Sequence, residues 1–360
     1  AQGAKDGRDS TMTRWDQARQ LLRLGRRRPT GRAASSSRRD GASDLVSEPL
    51  PAPRVRIAEP RVASQERAEV RDADESGSPP AASASRARSI CVASGKGGTG
   101  KSSVAASLAS LLARRGHTLL LDADLGCANA HILQDVHPQY SFADVIAGDR
   151  GVADIVTPCH EGLDLLPGGS GFARLAGLRT YELEMIGRGL SRLEPGYDHL
   201  VVDSAAGLSR QTVAFAAACD MTILVTTPDV TAMTDAYAFL KVFVRQCGVQ
   251  GIERPMPVLV VNRAVDAEEG ENVARRLQDV VLKFLGQRLE FLAALPDDRA
   301  AFRCIQRRTT VVLGEPESEL ARALETLSNS TLARLARVEN RGVGRRLVDA
   351  AAAEKTVRRR

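Results

Sequence analysis

Two lysines five positions apart, Lys96 and Lys101, sit in the run Gly95-Lys96-Gly97-Gly98-Thr99-Gly100-Lys101-Ser102-Ser103. A glycine-rich turn lets consecutive backbone N–H groups curl around phosphate oxygens, and a helix starting at its end adds partial positive charge. Residues 95–102 fit G-x-x-x-x-G-K-[ST], in which Lys101 reaches the outer phosphates and the Ser102 hydroxyl ligates Mg²⁺. Lys96 is a second cation, which the subunit's own nucleotide does not need. Three carboxylates extend the chemistry. Asp203 directly follows an apolar run and is expected opposite Ser102, serving the metal through water because Mg²⁺ dehydrates reluctantly. Asp122 and Asp124 stand two residues apart. One can hold the metal's water shell while the other orients and deprotonates an attacking water. Gly207 offers a backbone N–H that a γ-phosphate can approach closely, since no side chain intervenes.

Such groups need a scaffold that gathers them. Ser89-Ile90-Cys91-Val92-Ala93, just before the loop, is short and apolar enough for a buried strand, and 104–115 carries apolar residues at helical spacing. Further apolar runs at 119–121, 163–166, 200–203, 221–226, 257–261 and 291–295 alternate with helical stretches. The alternation predicts an α/β fold: a doubly wound, mostly parallel sheet of seven to eight strands flanked by helices. Ligands of such sheets bind at the carboxyl ends of the strands, where the loop, the carboxylates and Gly207 all fall.

Of the 360 residues 43% are apolar but only 4% aromatic, so the core must be built mostly from Ala, Val and Leu. Cys91, Cys127, Cys159, Cys219, Cys247 and Cys304 form no C-x-x-C pair and no metal spacing. They are expected as reduced, mostly buried thiols of a cytoplasmic protein. No apolar run approaches the ~18 residues of a membrane-spanning helix. Residues 1–88 read as a tail rich in Pro, Ser, Ala and Arg, with one island from Thr13 to Leu24. There Trp15, Ala18 and Leu22 share a helical face with Leu21 beside them, which predicts a short partner-binding helix at about 13–25. The net charge of +6 is unevenly placed: six arginines and no acid fill 26–39. Nothing aromatic interleaves them, so they read as a solvated linker rather than a nucleic-acid contact. The nucleotide domain is expected over 89–337, and 338–360 as a basic C-terminal tail that could be amphipathic.

The loop resembles the deviant Walker A sequence, KGGxxK[ST], of the MinD/ParA superfamily. More narrowly, residues 88–328 resemble the FlhG (FleN) family of MinD-like ATPases. The matching runs begin with Leu121-Asp122-Ala123-Asp124-Leu125-Gly126-Cys127-Ala128-Asn129 and Leu166-Pro167-Gly168-Gly169-Ser170-Gly171. Val202-Asp203-Ser204-Ala205-Ala206-Gly207-Leu208-Ser209, Thr226-Thr227-Pro228, the stretch from Thr231 to Ala238, and Val261-Asn262-Arg263 continue them. The tail island matches the family's D-Q-A-x-x-L-R element as Asp16-Gln17-Ala18-Arg19-Gln20-Leu21-Leu22-Arg23, with one extra leucine. Ser204 stands where the family usually has Thr, Cys127 where an apolar residue or Arg is usual, and the linker after the island is longer.

The resemblance implies an ATPase that works with ATP and Mg²⁺ and is a homodimer when ATP is bound. It implies that Lys96 crosses the interface to the other subunit's nucleotide, and that Lys96, Lys101 and Asp124 form the catalytic set. Ser102, Asp203 and Asp122 are then left to the metal and its water shell. Asn262, Arg263, Pro296 and Asp297 border the adenine, and an asparagine amide, both donor and acceptor, favours adenine over guanine. The helix of Trp15, Asp16, Gln17, Ala18, Leu21, Leu22 and Arg23 would dock on an FlhF-type signal-recognition GTPase and stimulate it, in the service of flagellar number and placement. Flagellar switch-ring proteins, a flagellar transcriptional regulator and a membrane surface are further candidate partners; nucleic acid is not expected. The alternative is a ParA-like partition or MinD-like division-site positioning ATPase.

Overall fold

Ile90 and Val92 on β1 (Arg88–Ser94) point into one apolar layer, and Cys91 and Ala93 into the other. A strand buried on both faces reads as a continuous apolar run, and only a sheet covered by helices on each side can bury it so. The computed structural model describes residues 86–169, 177–249, 255–340 and 342–357. The predicted partner helix, Trp15 to Arg23 included, therefore lies outside the described residues.

The sheet adds β2 (Thr118–Ala123), β3 (Thr157–His160), β4 (Leu163–Leu166), β5 (His199–Ala206), β6 (Met221–Thr226), β7 (Val258–Ala264) and β8 (Glu290–Pro296). Their spatial order is β3-β4-β2-β5-β1-β6-β7-β8. All neighbours are parallel except β3 against β4. The doubly wound, mostly parallel expectation holds with eight strands. Strand β3 was not foreseen, because Thr157-Pro158-Cys159-His160 carries no apolar run and stays partly exposed at the sheet edge.

The helices are α1 (Lys101–Ala113), α2 (Ala130–Leu133), α3 (Phe142–Ala147), α4 (Thr180–Leu193), α5 (Arg210–Ala218), α6 (Val230–Val249), α7 (Ala267–Leu285), α8 (Arg299–Gln306), α9 (Val311–Gly314), α10 (Glu319–Leu335) and α11 (Val343–Val357). Side chains of α1, α2, α8, α9 and α10 join the layer of Ile90 and Val92. Those of α3 to α7 and α11 join the opposite layer, where Phe215, Phe239 and Phe243 lie. Helix α1 is buried almost all round, from Val104 to Ala113. That is what a helix caught between a sheet and a second helical shell requires, and it fixes the phosphate loop to the centre of the fold. Truncating Leu108 or Leu112 there costs about 2–5 kcal/mol.

The C-terminal segment corrects the expected boundary at 337. Val343, Leu347 and Ala351, four apart, are buried along α11. Gly187 and Gly344 let α4 and α11 approach so closely that a Cβ on Gly187 would stand 2.8 Å from the Gly344 carbonyl. Arg346 Nη1 lies 2.9 Å from Asp220 Oδ1, both side chains being buried. The basic run 345–346 thus supplies a core ion pair, and its apolar neighbours pack on protein. Among the described residues no helix is long and apolar enough to cross a membrane.

Candidate nucleotide site

The phosphate loop joins β1 to α1 and turns through two left-handed glycines, Gly98 (φ 82°) and Gly100 (φ 86°), conformations that side chains disfavour. Gly95 is needed for a different reason: a Cβ there would collide with the backbone carbonyl of Asp235 on α6. The loop is thereby pressed onto α6, which accounts physically for the sequence around 234–236 that the resemblance noted. Lys96, Gly97, Gly98 and Gly100 keep some exposure, while Thr99 and Lys101 are buried.

Asp203 and Asp122 are register partners on neighbouring strands β5 and β2. Lys101 Nζ donates to Asp203 Oδ1 at 2.5 Å and to Ser102 Oγ at 3.2 Å. Burial pushes the Asp203 carboxyl up, and Lys101 pulls it back. Burial and then the Asp203 charge raise Asp122 to about 7. Asp122, expected at the metal's water shell, is buried and also serves its own loop. Its Oδ1 accepts the Asp124 N–H at 3.1 Å, and its Oδ2 accepts those of Asn129 and Ala130 at 2.9 Å each. It pins the loop that carries Asp124. Asp124 itself lies just past β2, half-buried, with Oδ1 accepting the Cys127 N–H at 3.2 Å. Gly168 backs this loop. A Cβ on it would stand 3.0 and 3.2 Å from the carbonyls of Asp122 and Asp124.

Ser102 Oγ and Asp203 both surround the Lys101 ammonium, so a hydroxyl and a carboxylate converge where outer phosphates meet the loop. These are hard oxygen donors, few in number, which suits an ion that keeps most of its waters and takes the rest from phosphate. The donor set fits Mg²⁺, and Ser102 and Asp203 are the residues that would hold it.

Gly207 departs from expectation. Its N–H donates to the Ser94 carbonyl at 2.9 Å, so it is engaged within the sheet in this conformation. Lys96 is exposed, yet its Nζ donates to Thr231 Oγ1 at 2.6 Å and lies 3.4 Å from Asp229 Oδ1. Burial works against the charge on Asp229. Hydrogen bonds from Thr227, Thr231 and the Ala232 N–H, with the Lys96 charge, still hold it well below the usual carboxylate range. Sequence reasoning gave Asp229 and Thr231 no role. The available signal was that they follow an apolar strand end, on the same edge as the loop.

On the other side of the loop a cavity of ≈ 540 Å³ is walled by Gly98, Gly100, Asn262, Arg263, Pro296 and Asp297, among others. Asn262 Nδ2 donates to the Thr99 carbonyl at 2.8 Å, and Arg263 Nε lies 3.3 Å from Asp297 Oδ1. Asn262 is thus fixed by the phosphate loop itself, and the Asp297 charge is taken up by Arg263. All six described cysteines are free, with Cys127 exposed and Cys159 half-buried.

A parallel doubly wound sheet with a lysine-bearing phosphate loop, an opposing strand-end aspartate and a base-sized cavity defines a P-loop nucleoside triphosphatase. Residues 90–311 match the CobQ/CobB/MinD/ParA nucleotide binding domain family. The chain is 32% identical over 240 residues to the antiactivator FleN of Pseudomonas aeruginosa, spanning 66% of this chain and 84% of that protein. It is 29% identical over 252 residues to the flagellum site-determining protein YlxH of Helicobacter pylori, spanning 68% and 82%. The solved septum site-determining protein MinD of Pyrococcus horikoshii, complexed with Mg-ADP, superposes with a TM-score of 0.57 at 27% identity, over 69% of this chain and 97% of that one. The chain belongs to the MinD/ParA family of P-loop ATPases, in its FleN/FlhG branch. The matched family is a nucleotide binding domain, and the phosphate loop at 95–102 lies within the matched residues.

Proposed function

We propose that the protein is an ATP-dependent dimerising switch that controls flagellar number and placement, its tail helix stimulating an FlhF-type GTPase. The observation that carries the switch is the surface around Lys96. Leu208 and Val265, just past β5 and β7, and Val230, which opens α6 after β6, are exposed apolar side chains on the edge that holds the phosphate loop. Apolar side chains gathered around an exposed lysine suit a face that closes on a second copy, with each Lys96 neutralising the other's phosphates. The flagellar assignment is supported by the likeness to FleN and YlxH and by the Asp16-Gln17-Ala18 element in the tail.

In this reading Lys101 and the loop N–H groups hold the phosphates and Ser102 and Asp203 position the metal. Mg²⁺, when bound, neutralises charge on the transferred phosphoryl group. Asp122 fixes the backbone of Asp124, whose carboxylate orients and deprotonates the attacking water. Release of the γ-phosphate then dissolves the dimer, a timer rather than a metabolic reaction.

The test uses the full-length protein added to an active FlhF-type GTPase. Wild type raises GTP turnover, and the double variant Trp15→Ala, Leu22→Ala does not. No stimulation by wild type removes the flagellar partner. Salt-sensitive, ATP-dependent DNA binding would favour the ParA-like partition reading instead.

A further inference from the structure

Helix α8 opens immediately after the 296–298 loop, and its first turn is rigidly set. Asp298 Oδ1 accepts the Ala300 N–H at 2.8 Å, and Oδ2 accepts the Leu320 N–H at 3.3 Å. The carboxylate therefore caps α8 and ties it to the start of α10. Ala300 and Cys304 are buried on the helix's inner face. Phe302 and Ile305, three residues apart, share the outer face, and both line the cavity that also contains Gly98, Gly100 and Asn262.

Phe302 is 67% exposed and Ile305 40%. A phenylalanine left largely in water on the wall of a nucleotide cavity is an unpaired aromatic face, and every nucleobase has a face to stack on it. This cavity borders the loop that would hold the phosphates, at Gly98 and Gly100, which puts it within reach of the attached base. Asn262, Arg263 and Asp297 give the cavity polar groups suited to the edges of a base, and Phe302 is the aromatic side chain of its lining.

We propose that Phe302 is a positioning residue that stacks on the base of the bound nucleotide, with Ile305 widening the apolar surface beneath it. The proposal rests on the ATP-binding reading. Stacking is indifferent to base identity, so Phe302 supplies affinity while Asn262 supplies the choice between adenine and guanine. The ring makes no contact with the phosphates.

The experiment measures binding of ATP, ADP, GTP and tripolyphosphate to full-length wild type, Phe302→Ala and Phe302→Tyr, with thermal melts to check folding. In Phe302→Ala the Kd for ATP and ADP rises about ten- to a hundredfold. The ATP-to-GTP preference and tripolyphosphate binding do not change. Phe302→Tyr, which keeps the ring, binds as wild type. An unchanged ATP Kd in Phe302→Ala overturns the stacking and leaves the ATPase reading standing. So does an equal loss for tripolyphosphate, which would mean the loop itself had been disturbed. A wild-type protein that binds no nucleotide removes the ATP reading, and the stacking with it.

Discussion

Lys96 Nζ donates to Thr231 Oγ1 at 2.6 Å within its own subunit, with the Asp229 carboxylate at 3.4 Å. Both charged side chains are about half in water, so this contact contributes little to stability. Its consequence is for the switch. A lysine that turns to a second triphosphate must first leave a hydroxyl and a carboxylate, and only a site that binds it better draws it away. A triphosphate, with several charges and charge-assisted hydrogen bonds, is such a site.

Asp124 stands on a loop whose backbone is held by Asp122, so removing its carboxyl gives up one hydrogen bond, that from the Cys127 N–H, and leaves the three to Asp122 in place. Asp124→Ala lowers ATP turnover about a hundredfold or more, while ATP binding through Lys101 and Ser102 persists. The dimer should then accumulate. Phosphate release and size measured together check this; turnover at the wild-type rate removes Asp124 from the mechanism.

Asp122 gives a pH signature. Its folded pKa is raised by burial and by Asp203 to about 7, against about 3.9 for a free aspartate. Between these values the folded protein holds a proton that the unfolded chain has lost, so stability is full below the lower value and falls as pH rises through the upper one. In the nucleotide-free protein the urea midpoint should fall from pH 5 to pH 7.5. Asp122→Asn, which cannot ionise, should flatten that decline. Equal slopes in the two proteins would contradict the buried carboxyl pair.

The Asp220–Arg346 pair tests the corrected C-terminal boundary. Asp220 also accepts the Ser89 N–H and hydroxyl at 3.0 and 2.8 Å, and Arg346 donates to the Ala218 carbonyl at 3.0 Å. Arg346→Ala leaves the aspartate buried without its cation and should cost about 3–5 kcal/mol. Urea denaturation reads it directly. A loss below about 1 kcal/mol, the range of exposed pairs, would mean that α11 is not part of the folded unit.

Much of the architecture is legible in the chain because buried parallel strands announce themselves as apolar runs; β6 at 221–226 coincides with its run residue for residue. The convergence of Lys101, Ser102 and Asp203 follows from strand ends and one loop. What was not legible depends on contacts between distant segments. Alanines 350–353 and the flanking arginines look like a tail until Gly187 and Gly344 bring two backbones together. The part of Asp122 in pinning its own loop shows only when its oxygens are found on three N–H groups there. The Gly207 N–H looks free until β5 sets it against Ser94. Likewise Thr231 is one polar residue among many until the sheet carries it to Lys96.

In the proposed switch two lysines on one loop, Lys96 and Lys101, serve two triphosphates. Light scattering of full-length protein with Mg²⁺ and a non-hydrolysed ATP analogue tests it, for wild type and Lys96→Ala, with analogue binding measured alongside. The expected result is a doubled mass for wild type and a monomer for Lys96→Ala, both binding the analogue. A dimer in both proteins, or in neither, would contradict it.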